Sequence, residues 1–245
     1  MDGEAVKAIT MLAQQAHAVT VGERTFVSHG MHALYHDPRP LAVQISTLTG
    51  LVSYVGENVD GLELDTCMVI VHSYAKVSLV TRVHGEENDR HTVIEVTLDS
   101  VERFPFGTFM SIEEFNVRIR SQFVRTVNRD TLTQYVSRID VEQAAQIHDD
   151  GVSQSTTVKR AVGGHLAELE EAPAVLALQP FRTFSEVAQP ESEFLFRMRQ
   201  NEAGVSVALF EADGGAWQNV ARSAIMDYLQ EQFDTYANGD LAIIA

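Results

Sequence analysis

Apolar residues recur every three or four positions in several segments of the chain, which is the spacing that places them on one face of an α-helix. The clearest of these segments opens with a capping box formed by Ser111 and Glu114. The pattern predicts helices over Val6–Ala16 and Leu48–Val59, a helical pair over Ser111–Ile139, and a last helix over Trp217–Leu229.

Other segments have the patterns of β-strands: Cys67–His72 is an apolar run typical of a buried strand, Lys76–Val83 alternates along its length, and His91–Leu98 is rich in β-branched residues. Cys67–His72, Lys76–Val83 and His91–Leu98 follow one another with short connections and predict an antiparallel sheet. In the second half of the chain, strands are predicted over Val175–Leu178, Phe194–Arg199, Val205–Phe210 and the mostly polar Gln154–Arg160. Residues 237–245 are expected to form a tail.

These elements predict an α+β fold with two lobes. Residues 1–148 are expected to form an N-terminal α+β lobe, in which the helical pair packs on the antiparallel sheet of residues 67–98. Residues 149–245 are expected to form a β-rich C-terminal lobe that is closed by the last helix. The short connections between the strands favour antiparallel pairing, and parallel strands joined by crossover helices would contradict this prediction.

The composition is typical of a soluble globular protein, with 45% hydrophobic and 21% charged residues among 245. The mean hydropathy of −0.06 argues against a membrane protein, and no apolar run reaches the roughly 20 residues that a membrane helix needs. Met1–Glu4 lack the start of a signal peptide, and the single Cys67 excludes an internal disulfide and a thiolate zinc site. We therefore expect a cytoplasmic protein that has no contact with a membrane.

The chain is strongly acidic, since 34 acidic residues against 18 basic ones give a formal net charge of −16. A protein coated for nucleic acid needs many Lys and Arg side chains to neutralise phosphates, so this charge excludes a uniformly basic surface. A local basic strip remains compatible with it, because net charge is an average over the whole surface. Solubility alone also explains an acidic surface.

The densest basic run, called the arginine stripe below, consists of Arg118, Arg120, Arg125, Arg129 and Arg138. On one continuous helix, Arg118, Arg125 and Arg129 would lie within about 40° of one another. They are the predicted nucleic-acid-binding residues.

Aromatic residues within the stripe add to this prediction, because Phe123 and Tyr135 can stack on bases of a single strand. The alternative is a solvated helix face, in which Glu113, Glu114 and Asp130 balance the arginines through pairs three or four residues apart.

Catalytic and metal-binding motifs are weak or absent. His29, His32 and His36 lie in a proline-containing loop, where polar loop histidines explain them as well as metal ligands do. Three carboxylate pairs are candidates for a divalent cation, namely Glu95 with Asp99, Glu211 with Asp213, and Asp149 with Asp150. No nucleotide loop or nucleophile motif occurs in the sequence. We therefore expect no enzymatic activity, no catalytic residue, no metal and no cofactor.

Motifs in the second half of the chain resemble the YfdQ-like family of phage and prophage proteins. They include Asp149–Gln154, Thr157–Lys159, Pro180–Phe184, Gln189–Ser192 and Ala208–Trp217, together with the helical stretch Glu114–Asp130. The resemblance implies a phage or prophage origin and a place inside the infected bacterium, often beside early replication and recombination genes. The family is a domain of unknown function, so the resemblance transfers no catalytic residue.

Three classes of function are compatible with these features. The first is a non-enzymatic phage protein in DNA metabolism, a replication or recombination accessory that binds single-stranded DNA or a partner protein. The second is an acidic inhibitor or decoy that binds a host defence or replication protein. The third, with least support, is a metal-dependent enzyme. The expected partners are a single-stranded nucleic acid, a host or phage protein, and a second copy of the chain in a homo-oligomer.

Overall fold

The computed structural model describes residues 3–16, 18–22, 24–27, 32–33, 40–83, 89–99, 102–139, 144–149, 154–158, 174–201, 204–236 and 241–245. The chain divides into two compact units, Met1–Leu41 and Ala42–Ala245. The first unit contains α1 (Gly3–Ala16), which confirms the first predicted helix, and three antiparallel strands, β1 (Ala18–Val21), β2 (Arg24–Val27) and β3 (His32–Ala33). No helix among these residues is both long and apolar enough to cross a membrane.

A five-stranded mixed sheet forms the first layer of the second unit. Its strands are β4 (Val43–Ile45), β5 (Cys67–Ser73), β6 (Lys76–Thr81), β7 (Thr92–Thr97) and β14 (Ala242–Ile244), in the order β14-β5-β6-β7-β4. The central strands β5, β6 and β7 are antiparallel, as the sequence predicts. Both edge strands pair in parallel, and the predicted tail is wrong over Ala242–Ile244 because this segment completes the sheet beside β5.

Two helices cover this first sheet, α2 (Leu48–Glu57) and α5 (Trp217–Tyr236). Thr47 caps α2 by accepting a hydrogen bond from the Gly50 amide at 3.2 Å. Apolar residues of both helices and of the strands form one buried core, which includes the thiol-bearing Cys67 as a small apolar residue. The C-terminal helix thus lies against strands from the first half of the chain.

A four-stranded antiparallel sheet forms the second layer, in the order β11-β12-β13-β8. Its strands are β8 (Met110–Ser111), β11 (Val175–Leu178), β12 (Ser192–Asn201) and β13 (Gly204–Glu211). The helices α3 (Ile112–Ser121) and α4 (Val127–Arg138) pack on this sheet. A separate hairpin of β9 (Ala144–Asp149) and β10 (Gln154–Val158) lies between α4 and β11 in the sequence.

The predicted packing of the helical pair on the sheet of residues 67–98 is therefore wrong. α3 begins directly after β8, and Met110 pairs with Val207 of β13, so the start of the helix is fixed to the second sheet. The inward face of β12 carries large rings, and Phe196 contacts Phe115 of α3 and Tyr135 of α4 at 6.0 Å between ring centroids. The rings of α3, α4 and β12 pack together in one buried core, which fixes the helical pair to the second sheet.

The lobes predicted over 1–148 and 149–245 do not correspond to the two units of the structure, which divide between Leu41 and Ala42. Each large sheet combines both halves of the chain, because α5 and β14 cover and extend the first sheet while β8, α3 and α4 belong to the second. The predicted α+β class, with two sheets, packed helices and a C-terminal helix beside strands, is confirmed.

A loop over residues 180–189 joins the two layers. Arg182 points towards the second sheet, while Thr183 donates a hydrogen bond to the Tyr74 carbonyl at 2.6 Å and Phe184 is buried in the core of the first sheet. The Gln189 side chain holds the loop closed, since its oxygen accepts from the Arg182 amide at 2.9 Å and its nitrogen donates to the Phe184 carbonyl at 3.0 Å.

The phenylalanines of this region supply a matched test of the packing. Phe194 of β12 is fully buried, whereas Phe181 in the loop before it is 49% exposed. We expect Phe194→Ala to lower the free energy of unfolding by about 3–5 kcal/mol and Phe181→Ala by less than about 1 kcal/mol. Urea unfolding followed by circular dichroism measures both, and similar losses for the two variants would contradict the described core.

Candidate nucleic-acid interface

The arginine stripe does not lie on one continuous helix. α3 ends at Ser121 and α4 begins at Val127, because the intervening chain pairs with the loop before β12. The Val124 amide donates to the Gln179 carbonyl at 2.8 Å, and the Phe181 amide donates to the Gln122 carbonyl at 2.9 Å. Thr126 then caps α4 by accepting from the Arg129 amide at 3.1 Å. The angular alignment predicted for the arginines is therefore wrong.

Arg118 is turned away from the other arginines of the stripe. Its guanidinium pairs with Glu102 at 2.7 Å and with Glu114, one turn earlier on α3, at 2.9 Å. These two hydrogen bonds raise the pKa of Arg118 above its ordinary value. Two carboxylates neutralise this side chain, so the solvated-face alternative describes Arg118 better than the nucleic-acid prediction does.

The structure brings Arg120, Arg125 and Arg129 together by a different route. The antiparallel arrangement of α3 and α4 places the end of one helix beside the start of the other, and these three residues line one concavity of about 360 Å³. Asp130, Thr133 and Gln134 complete its wall. We refer to this concavity as the arginine pocket.

The arginines of this pocket differ in their burial and in their hydrogen-bond partners. Asp130 accepts from Arg129 at 3.0 Å and from Arg125 at 3.2 Å, and these hydrogen bonds lower the pKa of its carboxyl. Arg129 is mostly buried and also donates to the carbonyls of Phe123 at 3.3 Å and Arg120 at 3.4 Å. These hydrogen bonds connect α4 to the end of α3. The Arg125 side chain is 81% exposed and keeps most of its donors in solvent.

Arg120 lies at the boundary between the arginine pocket and a neighbouring concavity along α3 and α4. It also lines a second concavity of about 490 Å³, together with Ile112, Glu113, Asn116, Val117 and Ser137. Within the described parts of the chain, no acceptor pairs with the exposed Arg120 guanidinium. We call the two concavities together the α3–α4 groove. Arg138 lies next to Ser137 in the last turn of α4, and it does not line either concavity.

The aromatic residues predicted to stack on bases are not accessible. Phe123 and Tyr135 are both buried in the core beneath the helices, where Phe123 contacts Phe194 and Tyr135 contacts Phe196. Their spacing among polar residues reflects packing on the second sheet. The prediction that they bind nucleic acid is wrong.

Two of the candidate metal ligands form ion pairs with basic residues instead. Glu95 pairs with Lys76 at 2.8 Å, and Glu211 pairs with Arg182 at 2.7 Å. The described residues contain no group of three or more side chains that could hold a metal ion. His29, His36 and Asp150 lie outside the described residues, as do the side chains of His32 and Asp149.

A buried polar cluster around Arg182 is the feature that sequence reasoning identified least well. Arg182 forms an ion pair with Glu211, 29 residues later in the chain, and spacing along the sequence does not indicate that pairing. Its guanidinium lies 4.0 Å from the centre of the Trp217 ring, and it donates to Ser192. Burial lowers the pKa of Arg182, against the opposing charges of Glu211 and Asp213.

Asp213 fixes the start of α5 beside this cluster. Its carboxylate accepts from the amides of Gly215 at 3.0 Å and Trp217 at 3.3 Å. Burial raises the pKa of Asp213, but these backbone hydrogen bonds, a hydrogen bond with Ser192 and the charge of Arg182 outweigh it and lower the pKa overall. Asp213 therefore stabilises the helix start as an anion.

Asp213→Asn tests this role through the pH dependence of stability. A carboxyl whose pKa is lowered by folding stabilises the protein above its unfolded pKa, near 3.8, and loses this contribution as the pH falls through the folded pKa. We expect the variant to lose about 1 kcal/mol at pH 7 and to approach the parent protein at the lowest pH. Urea unfolding at pH 7 and pH 3 measures this, and an equal loss at both values would contradict the assignment.

Comparison with known proteins gives no relative for this chain, since no protein-family model, no curated protein and no solved structure matches it. The resemblance to the YfdQ-like family therefore stays a prediction from sequence motifs. The geometry of the α3–α4 groove is the basis on which a function can be assigned.

Proposed function

We propose that this protein is a non-enzymatic phage protein that acts in DNA metabolism inside the infected bacterium and binds single-stranded nucleic acid in the α3–α4 groove. The observation that carries the proposal is the convergence of Arg120, Arg125 and Arg129 on one concavity in an otherwise acidic chain. Arginine guanidinium groups form forked hydrogen bonds with phosphate, which suits them to a nucleic-acid backbone. The phage setting and the link to DNA metabolism rest on the YfdQ-like motifs.

The groove is locally basic even though the chain carries a net charge of −16. Its walls hold three arginines and two carboxylates, those of Glu113 and Asp130. At physiological ionic strength, charges further than about 8 Å from a phosphate are largely screened, so the local arginines outweigh distant acids. A strand that follows the groove contacts Arg125 and Arg120 first, because these two side chains are exposed and keep free donors.

A salt titration with matched charge variants tests this proposal. Phosphate contacts release counterions, so binding of a single-stranded oligonucleotide weakens steeply as the salt concentration rises. We expect the double variant Arg120→Ala/Arg125→Ala to lose affinity and to flatten the slope of log affinity against log salt by about two units. The measurement is fluorescence anisotropy with labelled dT12 between 50 and 200 mM salt, about the range over which this effect is large.

Two control variants remove positive charges outside the groove. Arg222→Ala changes a side chain of α5 that contacts Asn219, and Arg118→Ala changes the doubly paired arginine of α3. Both should keep the slope of the parent protein. Absence of binding at 50 mM salt, or equal losses in the groove and control variants, would contradict the proposal and favour the acidic decoy that binds a host protein.

A second variant should strengthen binding. Asp130 holds Arg125 and Arg129 through hydrogen bonds, so Asp130→Asn removes the carboxylate that competes with a phosphate for both guanidinium groups. We expect an increase in affinity for dT12 of about fivefold at 50 mM salt. Asp234→Asn on α5 makes the same change in net charge elsewhere, and an equal gain in that variant would show that net charge alone sets the affinity.

A further inference from the structure

The half of the α3–α4 groove beyond Arg120 differs in chemistry from the arginine pocket. Its walls combine the apolar side chains of Ile112 and Val117 with the small polar groups of Asn116 and Ser137. Val117 is 63% exposed, so its side chain is accessible to a ligand in this half of the groove. We call this half the neutral pocket.

We propose that the neutral pocket holds a nucleobase of the strand whose phosphates lie in the arginine pocket. Arg120 lines both concavities, so a phosphate bound to its guanidinium leaves the attached nucleoside beside Val117 and Asn116. Asn116 precedes Arg120 by four residues, which is about 6 Å along the helix. The inference rests on the proposed binding of single-stranded nucleic acid in this groove and names what the second half of the groove recognises.

The charge of the neutral pocket favours a base over a second phosphate. Glu113 lies in its wall, and among the described residues no arginine other than Arg120 lines it. The carboxylate of Glu113 would repel a phosphate in this position, whereas a neutral base carries no negative charge for it to repel. The groove therefore suits a ligand with a charged group in the arginine pocket and an uncharged group in the neutral pocket. A nucleotide has both groups, since its phosphate is charged and its base is neutral.

The side chains of the neutral pocket can contact both the face and the edge of a base. Ile112 and Val117 supply an apolar surface for the face of the ring, and burying that surface is favourable in the absence of an aromatic partner. The Asn116 oxygen accepts from the Ser137 hydroxyl at 3.5 Å, which directs the amide NH₂ group away from this contact. That NH₂ group can donate to a carbonyl oxygen of thymine, uracil or cytosine.

An oligonucleotide without bases distinguishes this inference from the proposed function. We expect dT12 to bind about tenfold more tightly than an abasic 12-mer of the same sugar-phosphate backbone and charge, by fluorescence anisotropy at 50 mM salt. Equal affinities for the two ligands would overturn the base site and leave the binding of the phosphate backbone intact. Absence of binding to both would overturn the base site together with the proposed function.

Matched valine variants locate the contact with the base. Val117→Ala should weaken binding of dT12 about fivefold and leave binding of the abasic 12-mer unchanged, because only a base contacts the side chain. Val127→Ala is the control, since Val127 is 82% exposed at the start of α4 and lines neither pocket. Both valines are exposed, and urea unfolding checks that each variant keeps the stability of the parent. Equal effects of the two variants on dT12, or an equal effect of Val117→Ala on both ligands, would overturn the inference.

Discussion

Burial of the Arg182 guanidinium is the constraint on which the assembly of the two layers depends. A buried cation needs a compensating anion and hydrogen-bond acceptors, and the two terminal nitrogens of Arg182 find them in Glu211 and Ser192 on the second sheet, while its buried Nε has no acceptor among the described residues. Its flat face meets the ring of Trp217, where the helix that covers the first sheet begins. These requirements are met together only when strands β12 and β13 and the start of α5 are in place. The cluster therefore specifies how the layers meet as well as contributing to stability.

The local elements could be predicted from the sequence because their determinants are local. The apolar and β-branched runs over Cys67–Leu98 specify three strands, and the Ser111 cap marks the start of α3, as its hydrogen bond with the Glu114 amide at 3.2 Å shows. The partners of these elements could not be predicted in the same way. Nothing in the sequence near Met110 indicates that it pairs with Val207, almost a hundred residues later.

The candidate site shows the same limit at the scale of side chains. On one continuous helix, Arg118 would lie on the same face as Arg125 and Arg129. The helix is interrupted between α3 and α4, because the chain there pairs with the segment beside Pro180. Because of this interruption, Arg120 rather than Arg118 lines the arginine pocket with Arg125 and Arg129. The sequence shows that several arginines lie close together along the chain, whereas a tertiary contact decides which of them line one pocket. Phe123 illustrates the opposite error, because a ring between polar residues was taken for a ligand contact and is part of the core.

The parallel edge strand β14 has a consequence for how the chain folds. β14 pairs with β5 only after the whole second sheet and α5 have intervened in the sequence, while α3 precedes β13, on which it packs. The second sheet is thus inserted in the sequence between β7 and β14 of the first sheet, and completing the first sheet requires contacts of very high sequence separation, which slows folding. Neither half of residues 42–245 contains a complete layer. Separate polypeptides corresponding to the two halves would each expose an uncovered apolar face, and mixing them would restore the native layers by fragment complementation.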